Sequence, residues 1–330
     1  MSQTPHPPSV LRSTVGVLVT DERARPLLVR PAGGGGPWGL PSCGCALSLP
    51  CGTVPARPVL AFDRVAAGCE GRLVVDGGSL DAAGVAAVKA PFTCVEPAVA
   101  AGLLPAAEGR RMLAALRARV AGTGPVVLEE GRPAGQVPVL DRLGLFGRPR
   151  TAQELPWHEE EPVPDELTPR QAWGWLFSPD GRVLVLVDPR DGHAELPGGT
   201  IEPRDASPAA ALVREAGEEA TVTTGEPVYL GYLPDAHDGR PVARTRFAAP
   251  LTSMGPSGID PALDIRYARL LVTPHQAVDL LGWGAMGRAQ AAAAVRAAEA
   301  WGVGRAEAGP VEEVPAAGGL PARPGAAAHG

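Results

Sequence analysis

The stretch from Leu196 to Val222 constrains the fold more than any other part of the chain. Ser207 followed by Pro208 is a helix start: the hydroxyl caps the first turn, and proline sits where its missing N–H is harmless. At about 100° per residue, Ala209, Leu212, Val213, Ala216 and Ala220 share one arc of a helix over 208–220. Glu215, Glu218 and Glu219 share the adjoining arc. The apolar arc has to be covered by another element. Carboxylates at three- and four-residue spacing repel one another, so the acidic arc calls for positive charge, and a hard divalent cation taking oxygen ligands, Mg2+ best of all, is the natural candidate.

Ahead of this helix, Trp173 to Phe177 leads through Ser178-Pro-Asp-Gly181 into Val183 to Val187, and Leu196-Pro197 follows a loop containing glycine. This reads as a β-hairpin and its exit loop. The first half of the chain repeats the pattern. Val15 to Thr20 leads through Asp21 to Arg25 into Pro26 to Arg30, and Leu40-Pro41 follows a glycine-rich loop. Near the end of each half, Gly109-Arg110 and Gly287-Arg288 open similar apolar helices. Two copies of one unit are therefore expected. The first copy is shorter between its Leu-Pro and its Gly-Arg by about one loop, helix and loop, and after Pro41 only Asp63 and Glu70 are acidic as far as Arg72. Three carboxylates cannot be presented there.

The segment Gly199 to Val222 resembles the box of the Nudix hydrolase family, Gly-x5-Glu-x7-Arg-Glu-aliphatic-x-Glu-Glu-x-Gly-aliphatic, with Arg214-Glu215-x-x-Glu218-Glu219 as its strongest part. The resemblance implies an α/β (α+β) chain with the Nudix fold, a mixed β-sheet sandwiched between helices, here a tandem of a degenerate and an intact copy. It also implies hydrolysis of the diphosphate bond of a nucleoside diphosphate linked to another moiety, with Mg2+ or Mn2+ as cofactor and water attacking phosphorus. Carried over by position, Glu215, Glu218 and Glu219 would be metal ligands, Gly198 would offer its carbonyl to the metal, Gly199 would make the tight turn, and Arg214 would orient a box carboxylate. Glu218 is the first choice of general base, with Glu202, Asp235, His237 and Asp238 as alternatives. Arg244 and Arg246 on one face of a strand, with Arg240 nearby, would bind the anionic substrate. Three positions depart from the pattern: Asp205 replaces Glu and is followed by one extra residue, Ala216 is a small occupant of the aliphatic position, and Thr221 replaces the last glycine, so the helix should end without the usual left-handed glycine. The competing reading is a catalytically weak or inactive Nudix-like sensor or scaffold for nucleotide ligands.

The expected division is a disordered amino terminus over 1–9, a degenerate domain over 10–145, an acidic proline-rich linker over 146–168, the hydrolase domain over 169–303, and a disordered tail over 304–330, where no apolar periodicity recurs. A net charge of −6 argues against a nucleic-acid partner. No run of about 18 apolar residues argues for a membrane. The expected setting is cytoplasmic, the expected partner a small-molecule nucleoside diphosphate derivative, with a homodimer allowed. Five cysteines, all within the first hundred residues, read as reduced thiols, and the one-residue gap between Cys43 and Cys45 is not the usual spacing of a zinc knuckle. Trp173 and Trp175 read as core, His193 and His237 as surface, and Glu159 to Glu161 as a solvated charge run.

Overall fold

The computed structural model describes residues 12–31, 35–42, 58–65, 70–150, 154–307 and 309–322. It divides into two compact units, residues 1–119 with 123–141, and residues 120–122 with 142–330. The expected disordered terminus over 1–9 and the cysteines Cys43, Cys45, Cys51 and Cys69 lie outside the described residues. Cys94 is an unpaired thiol whose pKa burial pushes up to about 11.

The amino-terminal unit runs β1 (Arg12–Asp21), β2 (Leu27–Val29), β3 (Val59–Val65), β4 (Glu70–Leu80), α1 (Ala82–Ala86), β5 (Phe92–Cys94), α2 (Pro97–Leu103), α3 (Ala106–Ala121), β6 (Val126–Glu129), β7 (Arg132–Pro133) and α4 (Val139–Arg142). Its sheet has the order β1-β4-β3-β6-β7, with β2 and β5 paired separately. Leu18, Leu28, Met112, Leu116 and Leu128 are wholly buried. One ion pair lies among them: Arg111 donates from Nε and Nη2 to Asp63 Oδ2 at 2.8 and 2.6 Å, while Asp63 Oδ1 accepts from Gly131 N at 3.0 Å. Such a buried pair is tolerable because both partners are hydrogen-bonded.

The carboxy-terminal unit runs β8 (His158–Glu159), β9 (Thr168–Phe177), β10 (Val183–Asp188), β11 (His193–Glu195), β12 (Gly198–Thr200), α5 (Pro208–Ala220), β13 (Val222–Thr224), β14 (Val228–His237), β15 (Arg240–Met254), β16 (Ala268–Val272), α6 (Pro274–Leu281), α7 (Gly284–Ala300) and β17 (Glu312–Glu313). The sheet order is β17-β16-β10-β9-β15-β14-β8, with β11 on β10, β12 on β9 and β13 on β15. Six consecutive buried residues make β10 a central strand, buried on both faces. Helix α5 starts where the sequence places it, with Ala210 N donating to Ser207 Oγ at 3.1 Å. Its apolar side, Ala211, Leu212, Ala216 and Ala220, joins the core formed by Leu176, Leu184, Phe247 and Leu271. The fold is mixed α/β, and no helix of the described residues is long and apolar enough to cross a membrane.

Part of the strand pairing follows the same order in both units. Strands β1 and β4 are parallel and β4 and β3 antiparallel, as are β9 with β15 and β15 with β14. The antiparallel pair β2 and β5 corresponds to β10 and β16. After the Leu-Pro of each half the backbone returns to the first strand, with Val17 N donating to Pro41 O at 2.7 Å and Gly174 N to Pro197 O at 2.9 Å. The segment where the first unit could carry a box helix falls mostly in residues 43–57, outside the described residues.

Two expected boundaries are corrected. The segment foreseen as a linker contains β8, which extends the sheet beside β14, with His158 stacked on Tyr232 at 4.7 Å. Glu159 in that run is ion-paired with Arg296. The segment foreseen as a disordered tail adds β17 to the edge of β16, with Val311 and Val314 buried and Leu320 packed on the core. Both segments dock through main-chain hydrogen bonds to an open sheet edge, which requires neither apolar periodicity nor a long strand. Residues 323–330 lie outside the described residues.

Candidate functional site

The loop between β11 and α5 folds back onto the acidic arc of the helix. Gly198 makes its turn at φ 137°, and a Cβ there would lie 2.2 Å from the Ala172 carbonyl oxygen. The tight turn therefore belongs to Gly198 and not, as the resemblance suggests, to Gly199. Gly199 lies against the box acid itself: an added Cβ would meet the Glu215 carboxylate at 2.8 Å and displace it. Gly198 N donates to Glu219 Oε2 at 3.0 Å, so the turn also fixes a box carboxylate.

Arg214 is the hub. Its Nε and Nη2 grip Asp205 Oδ1 and Oδ2 at 3.0 Å each, Nη1 donates to Glu218 Oε2 at 3.0 Å, and Nη2 also donates to the Thr200 carbonyl at 3.0 Å. Glu215 Oε1 lies 3.1 Å from Nη2 and Glu202 Oε1 lies 3.7 Å from Nη1. The two-pronged Arg214 contact, joined by the Glu202 N–H at 2.8 Å, pulls the Asp205 pKa down to about 2. The shorter acid in the lengthened loop thus braces Arg214 in full. Glu202, half-buried, is paired mainly with Arg204 at 2.7 Å.

Burial acts on the other carboxylates in and around this arc. Burial pushes Glu219 up to about 9 against the opposing Gly198 hydrogen bond, and Glu195, Glu215 and Asp260 add repulsion. Burial likewise raises Glu195, which accepts from Tyr267, and raises Glu215 despite Arg214. Sequence reasoning missed Glu195 and Asp260. Glu195 stands immediately before Leu196-Pro197, which could have flagged it, whereas nothing around Asp260 distinguishes it in the chain. Among the described residues no three His, Cys, Asp or Glu side chains are drawn together as a finished ligand cluster. The donor chemistry fits a hard cation nonetheless: carboxylate oxygens that repel one another and are raised by burial.

The three arginines foreseen for substrate separate. Arg240 is exposed at the β14–β15 turn, away from the others. Arg244 pairs with Asp235, its Nε donating to Oδ2 at 2.7 Å. Arg246 is buried, with Nε donating to Gln290 Oε1 at 3.0 Å and Nη1 to the Thr245 carbonyl at 3.2 Å. Burial and the nearby Arg244 lower its pKa to about 9. Arg244 and Arg246 line a cavity of about 260 Å3 with Trp173, His193, Glu195 and Trp283. Asp235 is thereby engaged, and His237 and Asp238 lie 3.3 Å apart on the exposed hairpin tip, removed from the box. Of the two tryptophans read as core, Trp175 is wholly buried and Trp173 faces the cavity.

The sequence model of the NUDIX domain matches residues 167–264. No curated protein matches the chain. Among solved structures it is similar to a pyrophosphohydrolase of Bacillus subtilis, at 22% identity over 30% of this chain and 61% of that one, with a TM-score of 0.26. It is also similar to a NUDIX hydrolase from Nitrosomonas europaea, at 22% identity over 32% and 73%, TM-score 0.25. The ORF135 protein of E. coli matches at 22% identity over 43% of this chain and 97% of its own, TM-score 0.29. The chain thus spans less than two thirds of the Bacillus subtilis protein.

Proposed function

We propose, from the premise that residues 167–264 of this chain are a NUDIX domain, that the carboxy-terminal unit hydrolyses the phosphoric anhydride bond of a nucleoside diphosphate linked to another moiety. The observation that carries this reading is the arrangement on α5: Glu215, Glu218 and Glu219 held on one face, with Arg214 clamped by Asp205 and reaching back to Glu215 and Glu218. Glu215, Glu218 and Glu219 would hold Mg2+ or Mn2+, which when bound screens the diphosphate and lowers the pKa of water. Gly198 N positions Glu219, and Arg214 positions Glu218. Glu218, whose side chain is 33% exposed against 15% for Glu215, is the box carboxylate best able to meet a water and take its proton. Glu202 shares its charge with Arg204 and ranks behind it.

The test is a panel of nucleotide sugars, dinucleoside polyphosphates, NADH and oxidised nucleoside triphosphates, assayed with Mg2+ for release of phosphorylated products. Turnover that stops on chelation and returns with metal supports the reading. Absence of cleavage across the panel counts against it.

A further inference from the structure

Three arginines, Arg150, Arg244 and Arg246, line the cavity beside the box, and they differ in kind. Arg150 donates from Nη1 to the Asp279 carbonyl at 2.8 Å. Arg244 has a carboxylate partner in Asp235. Arg246 has none among the described residues, although it is only 4% exposed. Its direct contacts are neutral: Gln290, itself wholly buried, the Thr245 carbonyl, and the ring of Trp283, whose centroid lies 5.3 Å from the guanidinium carbon; the charge acting on it is the like-signed Arg244. Glu195, also on this wall, accepts a hydrogen bond from Tyr267 and is no partner of Arg246. Nη2 of Arg246 thus has no acceptor in the described protein. On the adjacent strand, in register with Arg246, Trp173 lines the same cavity, and its Nε1 is buried without an acceptor among the described residues.

A buried guanidinium with spare donors is costly to keep unless something negative offsets it. Gln290 sharpens the point, because glutamate has nearly the same shape and would neutralise Arg246 from within. The chain places a neutral acceptor there, which orients the guanidinium and leaves its charge unspent.

We propose that this cavity seats an oxyanion, a phosphate or a carboxylate, borne by the substrate in addition to the diphosphate that is cleaved. Arg246 is the counter-ion, Trp173 and Trp283 flank the group that carries the oxyanion, and Gln290 is a positioning residue. The inference rests on the hydrolase reading of the box, and it narrows the substrate class to diphosphates with a further anionic group.

The test uses the full chain carrying Glu218→Gln, to silence turnover, and measures equilibrium binding of three probe pairs in the presence of Mg2+. The pairs are NADPH and NADH, coenzyme A and its 3′-dephospho form, and UDP-glucuronate and UDP-glucose; the first two read phosphate and the third carboxylate. In at least one pair the more anionic member binds tenfold tighter or better. Adding Gln290→Glu, which supplies the missing carboxylate without emptying the core, brings that preference below twofold while the melting temperature holds or rises. Arg246→Met gives the same loss of preference. Equal binding within every pair, binding of none of the six, or a preference untouched by Gln290→Glu overturns the proposal. Wild-type turnover is measured separately: an anion preference without any cleavage overturns the hydrolase reading and leaves the oxyanion seat standing, whereas cleavage without the preference does the reverse.

Discussion

At the level of single residues, Asp205 decides how the box is held. It replaces the longer acid of the family pattern and takes both prongs of Arg214, which in turn holds Glu218. Asp205→Asn should therefore lower turnover by roughly tenfold or more through misorientation of Glu218, a loss typical of outer-shell partners, measured as a fall in kcat at saturating metal. The same pair gives a signed pH dependence. Because the folded pKa of Asp205 is depressed to about 2, its stabilisation is present in full above its unfolded value of about 3.9 and fades as pH falls from there towards 2. Thermal melts of the wild type should lose stability across that window, and Asp205→Asn should flatten this part of the acid limb. Removing a box charge has a larger effect. Glu218→Gln and Glu219→Gln should each cost at least ~100-fold in turnover, with folding retained, as expected for displaced metal; near-normal kinetics in both would defeat the hydrolase reading.

At the level of elements, the end of α5 carries a strain that the sequence pattern hides. Thr221 closes the helix at φ 53° and ψ 47°, the left-handed conformation that the family reserves for glycine, so the helix ends without a left-handed glycine but with threonine held in that conformation. A β-branched side chain is unfavourable there, and Thr221→Gly should stabilise the chain by about 1 kcal/mol, read as a raised melting midpoint. Strand β17 is an opposite case, a segment with a linker's composition that acts as structure. Its backbone pairs with β16, Glu312 meets Arg182 at 2.7 Å, and Val311 and Val314 bracket it in buried positions. Truncation at Gly304 removes both valines and should lower stability by about 2 kcal/mol or more, seen as a melting temperature reduced by several degrees. An unchanged melt would show that the strand contributes nothing.

For the molecule as a whole, two units that share the pairing of three sheet strands differ in what they offer chemically. In the first, the position facing Thr14 on the parallel strand is Arg72, as Arg244 faces Gln171 in the second, yet no three-carboxylate helix is found among its described residues. A full-length chain carrying both Glu218→Gln and Glu219→Gln should thus show no residual cleavage above the uncatalysed background; measurable turnover would reveal a second site in the first unit. The sequence by itself determined α5, its Ser207 cap, its apolar and acidic arcs, and the hairpin before it. These follow from short-range periodicity and capping, in which the deciding residues are neighbours along one element. It also suggested a repeat, because Leu-Pro follows two short apolar runs in both halves, and the pairing of three strands agrees with it. Only the tertiary structure decided that Gly198 and not Gly199 makes the turn, that Glu195 and Asp260 join the box acids, that Arg246 is buried without a carboxylate, and that the edges of the sheet recruit β8 and β17. Each of those depends on which distant segments pack together, and neither burial nor edge pairing leaves a periodic trace in a single chain.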